Sequence, residues 1–205
     1  EIEAALAHTK RNYFVVAYGA SRRLSCQRGV GQESSNYRDV RARSVATLFD
    51  PEAQLNPLES WAMDLDYLHH EQGIQAVRKA LSDFLPGITF YDIDKEQKRL
   101  RFKTRDGIVP LQFLSDGFQN VCSWVGDLLY RVMEVYGDYR APLRARGLLM
   151  IDEIDLHLHP KWQRTLRSFL QKKLPNFQTI VTTHSPLTAQ QAGPGELHYL
   201  PRQKG

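Results

Sequence analysis

Four consecutive apolar residues, Leu148-Leu149-Met150-Ile151, run directly into two carboxylates, Asp152-Glu153. A strand with one wet face alternates apolar and polar residues, whereas a run without alternation has both faces covered. A second run, Thr179-Ile180-Val181-Thr182, ends in Thr183-His184-Ser185. Between them, residues 161–173 carry helical spacing, with Pro160 suited to a first turn. Covered strands separated by a helix predict a parallel sheet and an α/β fold. Residues 13–18, rich in β-branched and aromatic side chains, predict another buried strand leaving through a turn at 19–23.

Elsewhere the period changes. Over residues 45–85, Trp61, Leu65, Leu68, Ile74, Val77, Leu81 and Leu85 recur at helical spacing, and Pro86-Gly87 stops the segment. Residues 88–93 and 99–102 alternate, and Asp106-Gly107 is a hairpin signal leading into a strand at 109–113. A small antiparallel β-layer is expected there. A long helix follows over 116–136, with Ser115 at its N-cap and Val121, Trp124, Val125, Leu128, Leu129, Val132 and Met133 on its apolar face. Residues 25–36 and 137–146 read as loops, and 197–200 as a final short strand.

Three motifs carry chemistry. The strand ending in Asp152-Glu153 delivers two acids to the carboxyl edge of a sheet, where open α/β folds bind ligands. Successive strand residues point opposite ways, so the acids can divide the work: Asp152 to hold Mg²⁺, Glu153 to orient and deprotonate water. The bland reading is a strand end followed by solvated acids. His184 ends the next strand, where an imidazole could meet a γ-phosphate or the attacking water; a lone loop histidine is more often structural. Leu114-Ser115-Asp116-Gly117-Phe118-Gln119-Asn120 opens the long helix. A helix start offers unpaired N–H groups to an anion, and Gly117 permits close approach, although a capped helix alone explains the same residues.

In this order, the three segments resemble the signature motif, Walker B strand and switch histidine of ABC-type ATPases, a match covering about residues 113–200. Asp152-Glu153-Ile154-Asp155-Leu156-His157-Leu158-His159-Pro160, with Trp162-Gln163, is similar to the acidic-Leu-His-Leu-His-Pro stretch of RecF-like and OLD-like ATPases. Ala17-Tyr18-Gly19-Ala20-Ser21-Arg22-Arg23 resembles the AAA-type ATPases of bacterial anti-phage systems of the Septu type. The resemblance implies a partial ABC-type P-loop ATPase fold: a mostly parallel core sheet with helices, a small antiparallel β-layer and a helical insertion. It divides the chain into 1–24, a residual part of the N-terminal lobe, 25–111, the insertion and β-layer, and 112–205, the signature, Walker B and switch-histidine part.

The resemblance also implies a function. Two heads would close around ATP and Mg²⁺, with Asp152 on the metal, Glu153 activating water and His184 steadying the γ-phosphate. Ser115 and Gly117 would reach across from the opposite subunit, and Gln119 and Asp155 belong to the same nucleotide-binding set. Such heads control an effector, and the resemblance implies a separate protein such as an HNH-type nuclease; only about twenty residues follow His184 here, so an effector is expected upstream of this stretch, downstream of it or in a separate protein. Two departures stand out. Asp116 puts a negative charge where transporter signatures have glycine. No Gly-x-x-x-x-Gly-Lys-Ser/Thr occurs, and Gly29-Val30-Gly31 has no lysine in register, so a preceding segment is expected to carry the phosphate-binding loop and this stretch alone to be inactive.

Rival readings follow from the remaining residues. Net charge is +4, with basic clusters at Arg22-Arg23, 38–43, 95–105 and Lys172-Lys173. A RecF- or SMC-like DNA-repair ATPase would use the basic middle section on DNA; a solvated surface explains it more simply, and Arg22-Arg23 has the same two readings. A nucleotide-sensing scaffold that scarcely turns over ATP is a third. His157, His159 and Glu153 as zinc ligands are a weaker alternative than an interface loop, and Trp61, Trp124 and Trp162 read as packing. No apolar run approaches the ~20 residues a bilayer span needs. The start Glu1-Ile2-Glu3-Ala4 has no secretory pattern, and Cys26 and Cys122 lie far apart, which together point to the cytoplasm.

Overall fold

A computed structural model describes residues 14–22, 40–137 and 141–201. In chain order its elements are β1 (Val15–Tyr18), α1 (Val40–Phe49), α2 (Leu58–Phe84), β2 (Thr89–Asp94), β3 (Arg99–Thr104), β4 (Gly107–Pro110), α3 (Asp116–Tyr136), β5 (Gly147–Ile151), α4 (Pro160–Gln163), α5 (Leu166–Lys173), β6 (Phe177–Val181) and α6 (Pro186–Ala189). Two three-stranded sheets result, β1-β5-β6 and β2-β3-β4. The first is parallel throughout, with Tyr18 opposite Ile151 and Ile151 opposite Val181. The second is antiparallel, with a register shift between Phe90 and Asp92. The predicted parallel sheet and small antiparallel layer are both present. The expected loop at 25–36, Arg23, Cys26 and Gly29-Val30-Gly31 lie outside the described residues.

The central strand β5 buries Leu149 and Ile151 completely. Its two neighbours differ. The free edge of β1 is covered by α1, whose Ser44 and Thr47 hydroxyls donate to the Val15 and Ala17 carbonyls at 2.8 and 3.1 Å. Those bonds satisfy edge acceptors that would otherwise invite another strand. Gly19 lets the two backbones meet, because a Cβ there would strike the Thr47 carbonyl. On the other side, β6 leaves Ile180 50 % exposed and Val181 also exposed, which is unusual for a parallel sheet.

Helix α3 runs over the residues its periodicity predicts and ends where Gly137 turns left-handed (φ 62°) and its N–H closes on the Met133 carbonyl. All seven predicted apolar-face residues are buried. So are Asn120, Ser123, Asp127 and Arg131, on a face where Arg22 bonds to Asn120 and Tyr18 and Asn56 bond to Asp127; α2 packs beside it at Gly126, where a Cβ would lie 2.8 Å from Leu58. Fully burying each Leu or Val side chain contributes about 1.5–3 kcal/mol. One continuous core joins both sheets through Phe84, Leu100, Phe102, Leu128, Leu129 and Leu149. Trp124 is buried edge-on to Phe84, and Trp61 and Trp162 are half-buried against Tyr130 and Phe118, so all three pack as expected.

The structure corrects four boundaries. The helical stretch expected over 45–85 is two helices, because Pro51 and Pro57 bound an interruption in which the Asp50 carboxylate accepts from the Glu52 N–H. The strand expected at 109–113 stops at Pro110, which has no N–H to give, and Leu111–Phe113 is a 3₁₀ turn. The helix expected over 161–173 breaks at Thr165, whose hydroxyl bonds back to the Trp162 carbonyl at 3.2 Å. Residues 197–200 form no strand; Leu197, Tyr199 and Leu200 stay exposed without a ladder.

Candidate active site

Because β5 and β6 are parallel and in register, their last residues deliver the following side chains to one edge. There the Thr182 hydroxyl does two jobs. It donates to Asp152 Oδ1 at 2.5 Å and accepts from the Glu153 N–H at 2.8 Å. The Asp152 N–H donates to the Tyr18 carbonyl at 2.8 Å and Ile154 N–H to the Thr182 carbonyl at 3.1 Å, so the acid pair is pinned to both neighbouring strands. Glu153 adopts a left-handed conformation (φ 45°), as does His157 (φ 61°). Each such conformation costs a non-glycine residue about 1–3 kcal/mol and persists only when its surroundings impose it.

The Glu153 and His184 side chains meet at this edge: Oε1 lies 4.0 Å from Nε2, with Glu153 37 % and His184 92 % exposed. Asp155 is half-buried, and its Oδ1 is enclosed without a hydrogen-bond partner. The Gln163 amide donates to the Leu158 carbonyl at 2.9 Å and accepts from the Ser185 hydroxyl at 2.8 Å, tying the loop after β5 to the loop after β6. His159 caps α4, its Nδ1 accepting from the Lys161 N–H at 3.2 Å. Among the described residues, no three His, Cys, Asp or Glu side chains converge to hold a metal, so nothing supports the zinc alternative.

The start of α3 stands beside the same loop. Ser115 and Asp116 are exposed, and Ser115 occupies the N-cap position without a side-chain cap bond. Gly117 is buried: a Cβ there would lie 2.5 Å from the His157 carbonyl. The absent side chain is thus used by this chain's own loop. The Gln119 side chain is also engaged, its Nε2 donating to the Gln112 and Leu114 carbonyls at 3.1 and 2.6 Å. Of the sequence-predicted residues, Asp152, Glu153 and His184 come together, Ser115 presents an open hydroxyl, and Gly117 and Gln119 have partners within the chain.

Three residues escaped the sequence reading. Thr182 is the hinge pin of the acid pair. Arg22 is neither solvated nor turned to an outside phosphate: it is 3 % exposed and donates to the Gly19, Asp152 and Glu153 carbonyls and to Asn120. Asn120, on α3, completes that set. Nothing in a single sequence separates a buried arginine from a surface one; its nearest signal is its place four residues after a buried strand tyrosine.

Magnesium binds through one or two carboxylates and keeps water and phosphate oxygens as its other ligands. Asp152, half-buried, with Thr182 bonded to one oxygen, fits such a sparse donor set. A parallel sheet with an acid pair closing one strand and a histidine closing the next is the core of an ABC/AAA-type ATPase. More narrowly, the chain belongs to the family described as "AAA domain, putative AbiEii toxin, Type IV TA system", whose profile matches residues 17–189. It is similar to the Septu protein PtuA of Bacillus mycoides (strain KBAB4), 28% identical over 94% of this chain and 25% of that protein. The retron Ec83 probable ATPase of Escherichia coli is 32% identical over 58% of this chain and 22% of its own length. Among solved structures, the SMC head domain from Thermotoga maritima overlays with a TM-score of 0.38 at 18% identity, over 65% of this chain and 45% of that one. The chain spans about a quarter of the length of these curated relatives. Among the described residues, no helix is long and apolar enough to cross a membrane.

Proposed function

We propose that the chain is the catalytic-edge part of an ATP-hydrolysing subunit of a bacterial anti-phage defence complex. It works in the cytoplasm as a head-to-head dimer that controls a separate effector, a nuclease. The observation that carries this reading is the grouping at one sheet edge: Glu153 faces His184 across 4.0 Å, beside an Asp152 carboxylate held by Thr182. The similarity to a Septu protein PtuA and to a retron Ec83 probable ATPase supports the defence setting.

Each residue then has a task. Asp152 holds Mg²⁺, which when bound neutralises charge on the phosphate oxygens. Glu153 orients the attacking water and takes its proton. His184 donates a hydrogen bond toward the γ-phosphate. The exposed Ser115 hydroxyl and the first-turn amides of α3 reach the nucleotide of the opposite head. Gly117 and Gln119 support that tip from within, holding it against residues 157 and 112–114. Asp155, whose enclosed Oδ1 has no hydrogen-bond partner among the described residues, belongs to the same nucleotide-binding set. Residues 1–24 and 112–205 belong to the ATPase core, and 25–111 carry the surface that meets the effector. Closure on ATP and opening after hydrolysis pass the signal on.

The test uses the full-length protein. Wild type hydrolyses ATP with Mg²⁺, whereas Glu153→Gln binds ATP, loses turnover and accumulates as dimers on size exclusion. Turnover unaffected by Glu153→Gln contradicts the reading and leaves a nucleotide-sensing scaffold.

A further inference from the structure

Among the described residues, Arg22 is the one buried guanidinium at the candidate site, and its hydrogen bonds reach three separate parts of the chain. Nε donates to Asn120 Oδ1 at 2.9 Å, on α3. One terminal nitrogen donates to the Gly19 carbonyl at 2.9 Å and to the Asp152 carbonyl at 2.5 Å. The other donates to the Glu153 carbonyl at 2.7 Å. A guanidinium carries five N–H groups in a rigid plane, so acceptors at these points are fixed relative to one another.

Simple packing does not account for this residue. Removing a charge from water costs several kcal/mol, and among the described residues no carboxylate is hydrogen-bonded to Arg22 in return. Burial pulls its pKa down to about 10, while the charges of Asp152, Glu153 and Asp155 hold it up, so it stays cationic at neutral pH. What the guanidinium holds is the backbone of the acid pair. Glu153 sits in a left-handed conformation, gripped at its N–H by Thr182 and at its carbonyl by Arg22. With both ends of the residue held, its side chain leaves the edge in one direction. The Asn120 bond extends the same rigid unit to α3, five residues from Ser115.

We propose that Arg22 is a positioning residue for hydrolysis: it fixes the Asp152-Glu153 backbone in its reacting geometry and, through Asn120, couples that geometry to the tip of α3. This rests on the ATPase reading above. If the α3 tip of one head meets the nucleotide of the other, Arg22 is the link by which that contact reaches Glu153 in the same chain.

The experiment compares steady-state ATP hydrolysis by the full-length protein as wild type, Glu153→Gln, Arg22→Lys, Asn120→Ala and Asn120→Asp, with thermal unfolding of each. Absence of Glu153-dependent turnover in wild type overturns the ATPase reading and this inference with it. Given that turnover, Arg22→Lys lowers kcat by about tenfold or more while KM for ATP changes less than about threefold, since a lysine cannot span the four acceptors. Asn120→Ala leaves Arg22 its three carbonyls and lowers kcat by about ten- to a hundredfold, the loss expected for one hydrogen bond to a charged group. Asn120→Asp keeps an acceptor in place and restores kcat to within about twofold. Should Arg22→Lys fail to fold, the Asn120 pair decides alone. Wild-type kcat in Asn120→Ala, or an Asn120→Asp no better than Asn120→Ala, overturns the proposal.

Discussion

Tyr18 and Arg22 are four residues apart, yet they serve two opposite kinds of carboxylate. Tyr18 donates to Asp127 at 3.0 Å inside the core. Asp127 is wholly buried and also accepts from Arg131 Nε at 2.5 Å, the Asn56 N–H at 3.0 Å and Asn56 Nδ2 at 2.7 Å. Both of its oxygens are filled. At the sheet edge the donors instead go to the backbone of Asp152 and Glu153, and among the described residues only one oxygen of this acid pair, Asp152 Oδ1, accepts a side-chain bond. The first arrangement closes a charge in; the second holds an acid pair still while leaving its lone pairs to something else. A buried acid with every oxygen satisfied is a device for stability, whereas acids fixed through their main chain at an open edge are a device for chemistry.

The contrast can be broken at either end. The largest effect belongs to the open site: Glu153→Gln in the full-length protein reduces ATP turnover by about 10²–10⁴-fold, the usual worth of a general base, with little change in unfolding temperature. Asp127→Ala does the reverse. It leaves Arg131 buried without its partner and lowers unfolding free energy by about 3–5 kcal/mol in denaturant titrations. If Asp127→Ala proves as stable as wild type, the cluster is not structural and the contrast fails. Thr182→Val sharpens the picture, because it removes one side-chain bond to Asp152 and one acceptor from Glu153. It should lower kcat by about tenfold and stability by only about 1–3 kcal/mol.

The smallest effect is on the surface. Arg167 forms a two-bond ion pair with exposed Glu196, and that pairing, with the Gly193 N–H, pulls the Glu196 carboxyl to about 2 from 4.5. A depressed carboxyl pKa stabilises the fold above the unfolded value and loses that contribution as pH falls from about 4.5 through about 2. Solvent screens an exposed pair, so Glu196→Gln lowers the neutral plateau of a stability profile only slightly and makes its acid limb correspondingly shallower, with no difference left at the lowest pH.

The buried strands, the residues ending them and the whole of α3 are legible in the sequence because apolar periodicity reports burial directly. Glu153 and His184 could be placed on one edge for the same reason: parallel strands in register deliver their last residues together. The positioning residues were not legible. Arg22 looks like half of a solvated Arg22-Arg23 pair, and only the packing of α3 against the β1 turn shows it buried. Thr182 looks like one more β-branched strand residue. Gly117 carries a phosphate-loop reading that the fold redirects to close packing on His157. Each depends on contacts between residues tens of positions apart, which a local pattern does not encode. The helix breaks at 50–57 and Thr165 came from side-chain bonds and prolines overriding periodicity.

The proposed hydrolysis requires Glu153 and His184 of one chain to act on one nucleotide. A double-mutant cycle in the full-length protein addresses that directly, comparing kcat for wild type, Glu153→Gln, His184→Ala and the combined variant. Residues that act as a unit are strongly non-additive, so the combined variant should be about as slow as the worse single one. Losses that multiply independently would contradict it.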